Sequence, residues 1–250
     1  MKYRIAIPSY KRARTFKEKT LAYLLRTDID PSRIDLFVAD SEEFKIYSDE
    51  LGENFPGNII IAEPGMRAVR NFIQTYYPQG TLVFNLDDDV KQLIEKVSDK
   101  KAREVSNLDA LIQLGFSTAK KAKATLWGIY PVKNPFFMKH TVRCGLWYIE
   151  GAVWGVIIDH DPALAVTLDD KEDFERSILH FLKDGNVIRL DWFSMVSNFY
   201  KEPGGMQEER TMKRIQESAQ NLRDRFPRLT KWNTTKKSKY PEVKLVNPKR

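Results

Sequence analysis

The sequence predicts an α/β protein in which a mostly parallel central sheet is flanked by helices and followed by a basic carboxyl-terminal extension. Three observations predict it. Short apolar runs of strand length alternate with helix-length segments through the first 90 residues. Each run stops at polar or charged residues: Ser9 after the first, Asp40 after the second, Glu63 after the third and Asp87-Asp88-Asp89 after the fourth. Right-handed crossovers would gather those ends on one edge of the sheet, where open α/β sheets bind ligands.

The elements follow in order. Residues 3–8 form a first strand, stopped by Pro8-Ser9, and Thr15 caps a helix to about Thr27. Residues 34–39 and 58–62 are the next two strands. A helix starts after Pro64-Gly65 and ends near Tyr77, before Pro78 and Gly80. Arg67 and Arg70 are three apart near its start and so share a face; an amino end attracts phosphate, which makes them candidate anion ligands. Leu82, Val83, Phe84 and Leu86 give a buried strand, after which Asp87 and Asp89 would point one way and Asp88 the other. Like charges so close repel, and a hard cation, Mn²⁺ or Mg²⁺, is the simplest remedy.

Residues 90–105 are charged and expected to be helical, and residues 108–124 form an amphipathic helix. Residues 126–130 and 146–158 are expected strands, the latter interrupted by Gly151 and Gly155. The loop at 134–140, with Phe136, Phe137 and Met138, is expected to cover the core. Asp170 and Asp173 have capping spacing before a helix to about Lys183, closed by Gly185 and followed by a strand at 187–190. Gly204 and Gly205, in the loop at 198–207, permit close backbone approach to a ligand and suit a lid over phosphates. A last helix spans about 208–225.

With 250 residues the chain can bury one large core, placed at residues 1–225, with a largely irregular tail at 226–250. From Arg223 onward ten basic residues face two acids, a balance of +8 that leaves −1 for the rest of a chain whose net charge is +7. Arg228, Lys231, Trp232, Lys236, Lys237 and Lys239 interleave cations with an aromatic ring, a pattern suited to nucleic acid. No secretory signal is evident, and Glu150 interrupts the best apolar span, so no membrane segment is expected. Cys144 is the only cysteine, which excludes an intramolecular disulfide and makes the cytoplasm the default location. The histidines lack zinc-site spacing.

Four stretches, Ile7-Pro8-Ser9-Tyr10-Lys11-Arg12, Ala39-Asp40, Gly65-Met66-Arg67-Ala68-Val69-Arg70-Asn71 and Leu86-Asp87-Asp88-Asp89, resemble in their order the landmarks of GT-A-fold glycosyltransferases. The resemblance implies that Pro8, Ser9, Tyr10 and Arg12 hold the nucleotide of a nucleotide-sugar, a UDP-sugar being favoured, and that Asp40 contacts its base or ribose. It implies that Asp87 and Asp89 bind the metal at the donor diphosphate, with Asp88 beside the donor. Glu172-Asp173 resemble the acidic pair that faces the acceptor, Asp173 being the general base and Glu172 its substitute. Pro203-Gly204-Gly205-Met206 and the basic tail resemble the TET-associated glycosyltransferases, which implies a hydroxymethylated pyrimidine in DNA as acceptor. Two alternatives stay open: nucleotidyl transfer at the same metal site, and a nucleic-acid-binding protein without catalysis.

Overall fold

A computed structural model describes residues 1–53, 55–197, 204–205, 211–234 and 242–248. The first strand, β1 (Arg4–Pro8), leads into helix α1, whose segments Ala13–Phe16 and Ala22–Arg26 are joined by a wide π turn at Lys17–Leu21. After β2 (Ile34–Val38), Asp40 accepts hydrogen bonds from the amides of Glu42 and Glu43 and so caps α2 (Ser41–Leu51). The sequence pattern predicted no helix here. The chain continues through β3 (Asn58–Ile61), α3 (Met66–Tyr76) and β4 (Leu82–Leu86).

The segment expected as a helix at 90–105 is instead a hairpin, β5 (Val90–Ser98) and β6 (Lys101–Glu104). Its buried residues, Val90, Leu93, Ile94 and Lys96, pack as a sheet surface, and the Lys96 ammonium is taken up inside by Asp99 and by the carbonyls of Pro135 and Met138. Those bonds pin the loop at 134–140. Of the loop's apolar side chains only Met138 enters the core; Phe136 and Phe137 are exposed, against expectation.

Then come α4 (Leu108–Lys121), β7 (Leu126–Ile129), β8 (Val142–Gly145) and β9 (Val153–Ile157). The strand expected at 146–158 is therefore shorter, because residues 146–152 leave the sheet. Gly155 serves packing: a Cβ there would lie 2.1 Å from the Trp127 indole nitrogen. Trp127 needs that space, since it stacks on Phe84 and meets the edge of Phe116. Lys171, in a left-handed conformation, precedes α5 (Glu172–Asp184), which Gly185 ends with φ +73. Lys171, not Asp170, holds the cap position, and the Asp170 carboxylate receives the Arg214 guanidinium at 2.6 Å. The remainder comprises β10 (Val187–Leu190), β11 (Phe193–Ser197), α6 (Met212–Arg225), β12 (Thr230–Trp232) and β13 (Val243–Leu245).

The described residues form an eight-stranded sheet ordered β3-β2-β1-β4-β9-β7-β10-β8, a three-stranded sheet β11-β5-β6 and the pair β12-β13. Registers are parallel between β3, β2, β1 and β4 and between β7 and β10, whereas β9 and β8 run opposite to their neighbours. Six strands of the large sheet thus point their carboxyl ends to one edge. Helices cover both faces, α1, α2 and α4 on one and α3 with α5 on the other, each over its own apolar cluster. A third cluster joins α5 and α6 to Val243 and Leu245, so the described part of the tail packs on the body. No helix among the described residues is long and apolar enough to cross a membrane.

His180, buried in α5, lies 2.7 Å from the Thr125 hydroxyl, and burial, helped by Arg176 and Lys183, pushes it down to about 3 from an ordinary 6.5. Between those values the unfolded chain binds a proton that the fold refuses, so stability falls as pH drops through that window. Moving from about pH 7 to about pH 5 is expected to destabilise the wild type by roughly 2 kcal/mol more than His180→Gln, measured by urea denaturation. Equal losses in the two proteins would contradict it.

Candidate active site

The carboxyl edge of the sheet carries a cavity beside β1, β2 and β4. Pro8, Ser9, Tyr10 and Arg12 line one side, Phe37, Val38 and Ala39 the floor, and Glu63 to Met66 with Val69 the side of α3; Asp87, Asp88 and Gly205 complete it. Apolar walls ending at charged groups suit a flat base joined to a polyanion.

The triplet does not alternate as an extended chain would, because β4 ends at Leu86 and residues 87–89 turn into β5. Thr20 holds that turn, donating to the Asp87 carbonyl at 2.8 Å and accepting from the Val90 amide at 3.0 Å. The three carboxyls therefore diverge. Asp87 receives Arg70 at 2.8 Å. Asp88 receives the Ser9 hydroxyl at 2.6 Å and the Arg12 guanidinium at 3.2 Å. Asp89 is buried and does not line the cavity, but it lies close enough to Asp87 to feel its charge. Burial lifts Asp88 to about 7 despite Arg12 and Ser9, and burial followed by the Asp87 charge raises Asp89.

A hard cation takes one or two carboxylates and completes its shell with phosphate oxygens and water, so a site here would rest on Asp87 and one neighbouring aspartate. A protein-only cage is not needed for that. Among the described residues no three His, Cys, Asp or Glu side chains are grouped to form one.

Other expected residues divide. Gly204 and Gly205 lie against the loop after β1: the Gly204 carbonyl accepts from Arg12 at 3.1 Å and the Gly205 amide donates to the Tyr10 carbonyl at 3.1 Å. Both have positive φ, and a Cβ on Gly204 would sit 2.6 Å from the Lys11 carbonyl oxygen. Asp40 is spent on the α2 cap and does not line the cavity. Arg67 and Arg70 do not act as a pair: Arg70 is buried, while Arg67 lies outside near Asp169, 3.7 Å away, and bonds the Thr167 carbonyl. Arg228, Lys231 and Trp232 are exposed at the β12 hairpin, and Lys236, Lys237 and Lys239 fall outside the described residues.

Asp173 is brought near the triplet through Gly151. Arg70 donates both to Asp87 and, at 2.9 Å, to the Gly151 carbonyl. On its other side Gly151 abuts the acidic pair: a Cβ there would lie 3.1 Å from a Glu172 oxygen and 3.6 Å from the Asp173 Cβ. The Tyr148 hydroxyl donates to Asp173 at 2.6 Å, and burial with the Asp173 charge keeps that phenol protonated.

Several contributors were not anticipated. Tyr47 meets the Ser9 hydroxyl at 2.5 Å and accepts from the Arg12 amide, and Glu43 accepts from the Lys11 amide at 2.7 Å. Asp40-Ser41-Glu42-Glu43 has the spacing of a capping box and could have revealed their helix. Tyr148, Glu150 and Arg176 carried no such signal.

No family model matches the sequence, and no curated protein matches it. Solved structures do match. A mannosyltransferase from Pyrobaculum calidifontis, in complex with GDP-Man and Mn²⁺, aligns over 90% of this chain and 65% of its own, at 14% identity and a TM-score of 0.56. TarS of S. aureus aligns over 90% and 40%, at 13% identity and 0.52. Glucosyl-3-phosphoglycerate synthase from Mycobacterium tuberculosis, in complex with Mn²⁺, UDP and glucosyl-3-phosphoglycerate, aligns over 98% and 87%, at 9% identity and 0.52.

The chain has the GT-A glycosyltransferase fold. It spans less than two thirds of the length of the first two of these proteins. Within a GT-A fold the β1 to β4 half carries the cavity with Asp87 and Asp88, and Asp173 enters from α5 across Gly151.

Proposed function

We propose that this protein is a metal-dependent glycosyltransferase that moves a sugar from a nucleotide-sugar to a hydroxyl acceptor. One observation carries it: the cavity ends at the aspartate turn, and a second carboxylate, Asp173, stands beyond it across the Arg70 and Gly151 bridge. The fold is shared with proteins whose complexes hold GDP-Man and Mn²⁺ or UDP and Mn²⁺.

In this reading the base lies between the β1 loop and α3, with Tyr10, Phe37 and Met66 against it. Ser9 and Arg12 hold Asp88 in place, and Arg12 also holds the Gly204 carbonyl, so one guanidinium joins the aspartate turn to the 204–205 backbone. Asp87 and Asp89 would hold Mn²⁺ or Mg²⁺. The bound ion supplies Lewis-acid stabilisation of the departing diphosphate. Asp173 accepts the proton of the acceptor hydroxyl as its oxygen attacks the anomeric carbon; the bond to the diphosphate breaks and its electron pair leaves with the phosphate oxygen. A base on the acceptor side gives inversion at that carbon. Tyr148 keeps one Asp173 oxygen oriented.

The sequence resemblance favours a UDP-sugar donor and a hydroxymethylated pyrimidine in DNA as acceptor. The exposed Arg228, Lys231 and Trp232 are compatible with a polyanion. A thermal-shift screen tests the donor: UDP or GDP, or their sugar esters, should raise the melting point in Mn²⁺ by about 3–5 °C per tenfold excess over Kd. No shift with any nucleotide in Mn²⁺ would remove the proposal.

A further inference from the structure

Between Asp87 and Asp173 lies a group of buried polar atoms that have no partner among the described residues. Glu150 contributes Oε2, which is shut off from solvent and has no hydrogen-bond partner among the described residues. Arg70 contributes Nε and Nη1, although its Nη2 serves Asp87 and the Gly151 carbonyl. Arg176, three residues after Asp173 on α5, is 4% exposed, lies 3.8 Å from the Trp154 ring centroid and makes no hydrogen bond to a described residue from any of its three nitrogens. A buried polar atom without a partner costs stability, so such atoms mark where a ligand or water supplies the bonds.

Placement narrows the ligand. Glu150 immediately precedes Gly151, whose carbonyl is tied through Arg70 to Asp87 and whose open Cβ position faces Glu172 and Asp173. The group that passes from a diphosphate at Asp87 to a hydroxyl at Asp173 must cross this spot. The chemistry agrees: the orphans are nitrogens that only donate together with a carboxyl oxygen able to accept. Sugar hydroxyls both donate and accept, so they can serve the guanidinium nitrogens and the carboxyl together.

The geometry points to Glu150 as the residue that binds a hydroxyl of the transferred sugar and so sets donor-sugar specificity. The inference rests on the glycosyltransferase reading above. Burial first, then the charges of Asp173 and Asp87, hold the Glu150 carboxyl well above the usual range, so a carboxamide is a close mimic of it. Glu150→Met keeps the volume and removes both oxygens; Glu150→Asp keeps the acid and withdraws it by one methylene; Glu150→Gln keeps the reach.

Calorimetric titration in Mn²⁺ with UDP, GDP, UDP-glucose, UDP-galactose, UDP-N-acetylglucosamine and GDP-mannose is the test. The expected result is a loss of about tenfold or more in affinity for the preferred nucleotide-sugar in Glu150→Met and Glu150→Asp. Affinity for the bare nucleoside diphosphate should stay within about twofold, and Glu150→Gln should recover most of the sugar-dependent part. Wild-type binding of a nucleotide-sugar that these variants leave intact, or an equal loss for the bare diphosphate, overturns the Glu150 assignment alone. Absence of nucleotide binding by the wild type overturns the donor reading and this inference with it.

Discussion

Asp89→Ala is expected to lower metal-supported sugar transfer by at least about 10³-fold while leaving the melting temperature at or above that of the wild type. The rate follows from losing one of two carboxylates proposed to hold the cation at the donor diphosphate. Several kilocalories of stabilisation on the leaving group correspond to three or more powers of ten. The fold should survive because burial and the Asp87 charge both raise Asp89, so folding works against its ionisation and a neutral side chain removes that opposition. Asp87→Ala is less informative, since it also deprives Arg70 of its carboxylate. Initial rates in Mn²⁺ with scanning calorimetry decide it; near-normal metal-supported turnover would refute the assignment.

Asp173→Asn should lower transfer by about 10² to 10⁴-fold, the usual contribution of a positioned base, with donor affinity unchanged. An amide oxygen can still accept from Tyr148, so the side chain should stay where Asp173 is. What it loses is the capacity to take a proton. Transfer assays at saturating donor, paired with nucleotide titration, separate the two effects, and a rate within about threefold of wild type would move the base elsewhere.

Much of the first half of the fold was legible because each strand is a short apolar run with a chemical reason to stop. Pro8, Asp40, Glu63 and Asp87 all mark real carboxyl ends of strands. Residues 90–105 misled because their charges suit a helix surface equally well; pairing with β11 and burial of Lys96 decide for a hairpin, and neither is visible locally. Asp40 illustrates a second limit. The sequence marks it as an acid at a strand end, but an acid that caps a helix there is committed to backbone amides and lies outside the cavity. The arginines show a third: three residues apart on one helix, one is buried against Asp87 and the Gly151 carbonyl and the other stays at the surface near Asp169, a division that partners remote in sequence decide.

By itself, the sequence determined which chemistry could occur here: a strand running into three aspartates, an acidic pair opening a later helix, and a cationic loop after the first strand, since these depend on residue type and order. Only the tertiary structure decided which of those groups meet. Arg70, Gly151 and Tyr148 link Asp87 to Asp173 over about 60 to 90 residues of chain, and Tyr47 and Glu43 shape the β1 loop from a helix the pattern did not disclose. The reason is physical: strand order and packing set distances between side chains remote in sequence, and a carboxyl's charge state follows from its burial and neighbours, not from its identity.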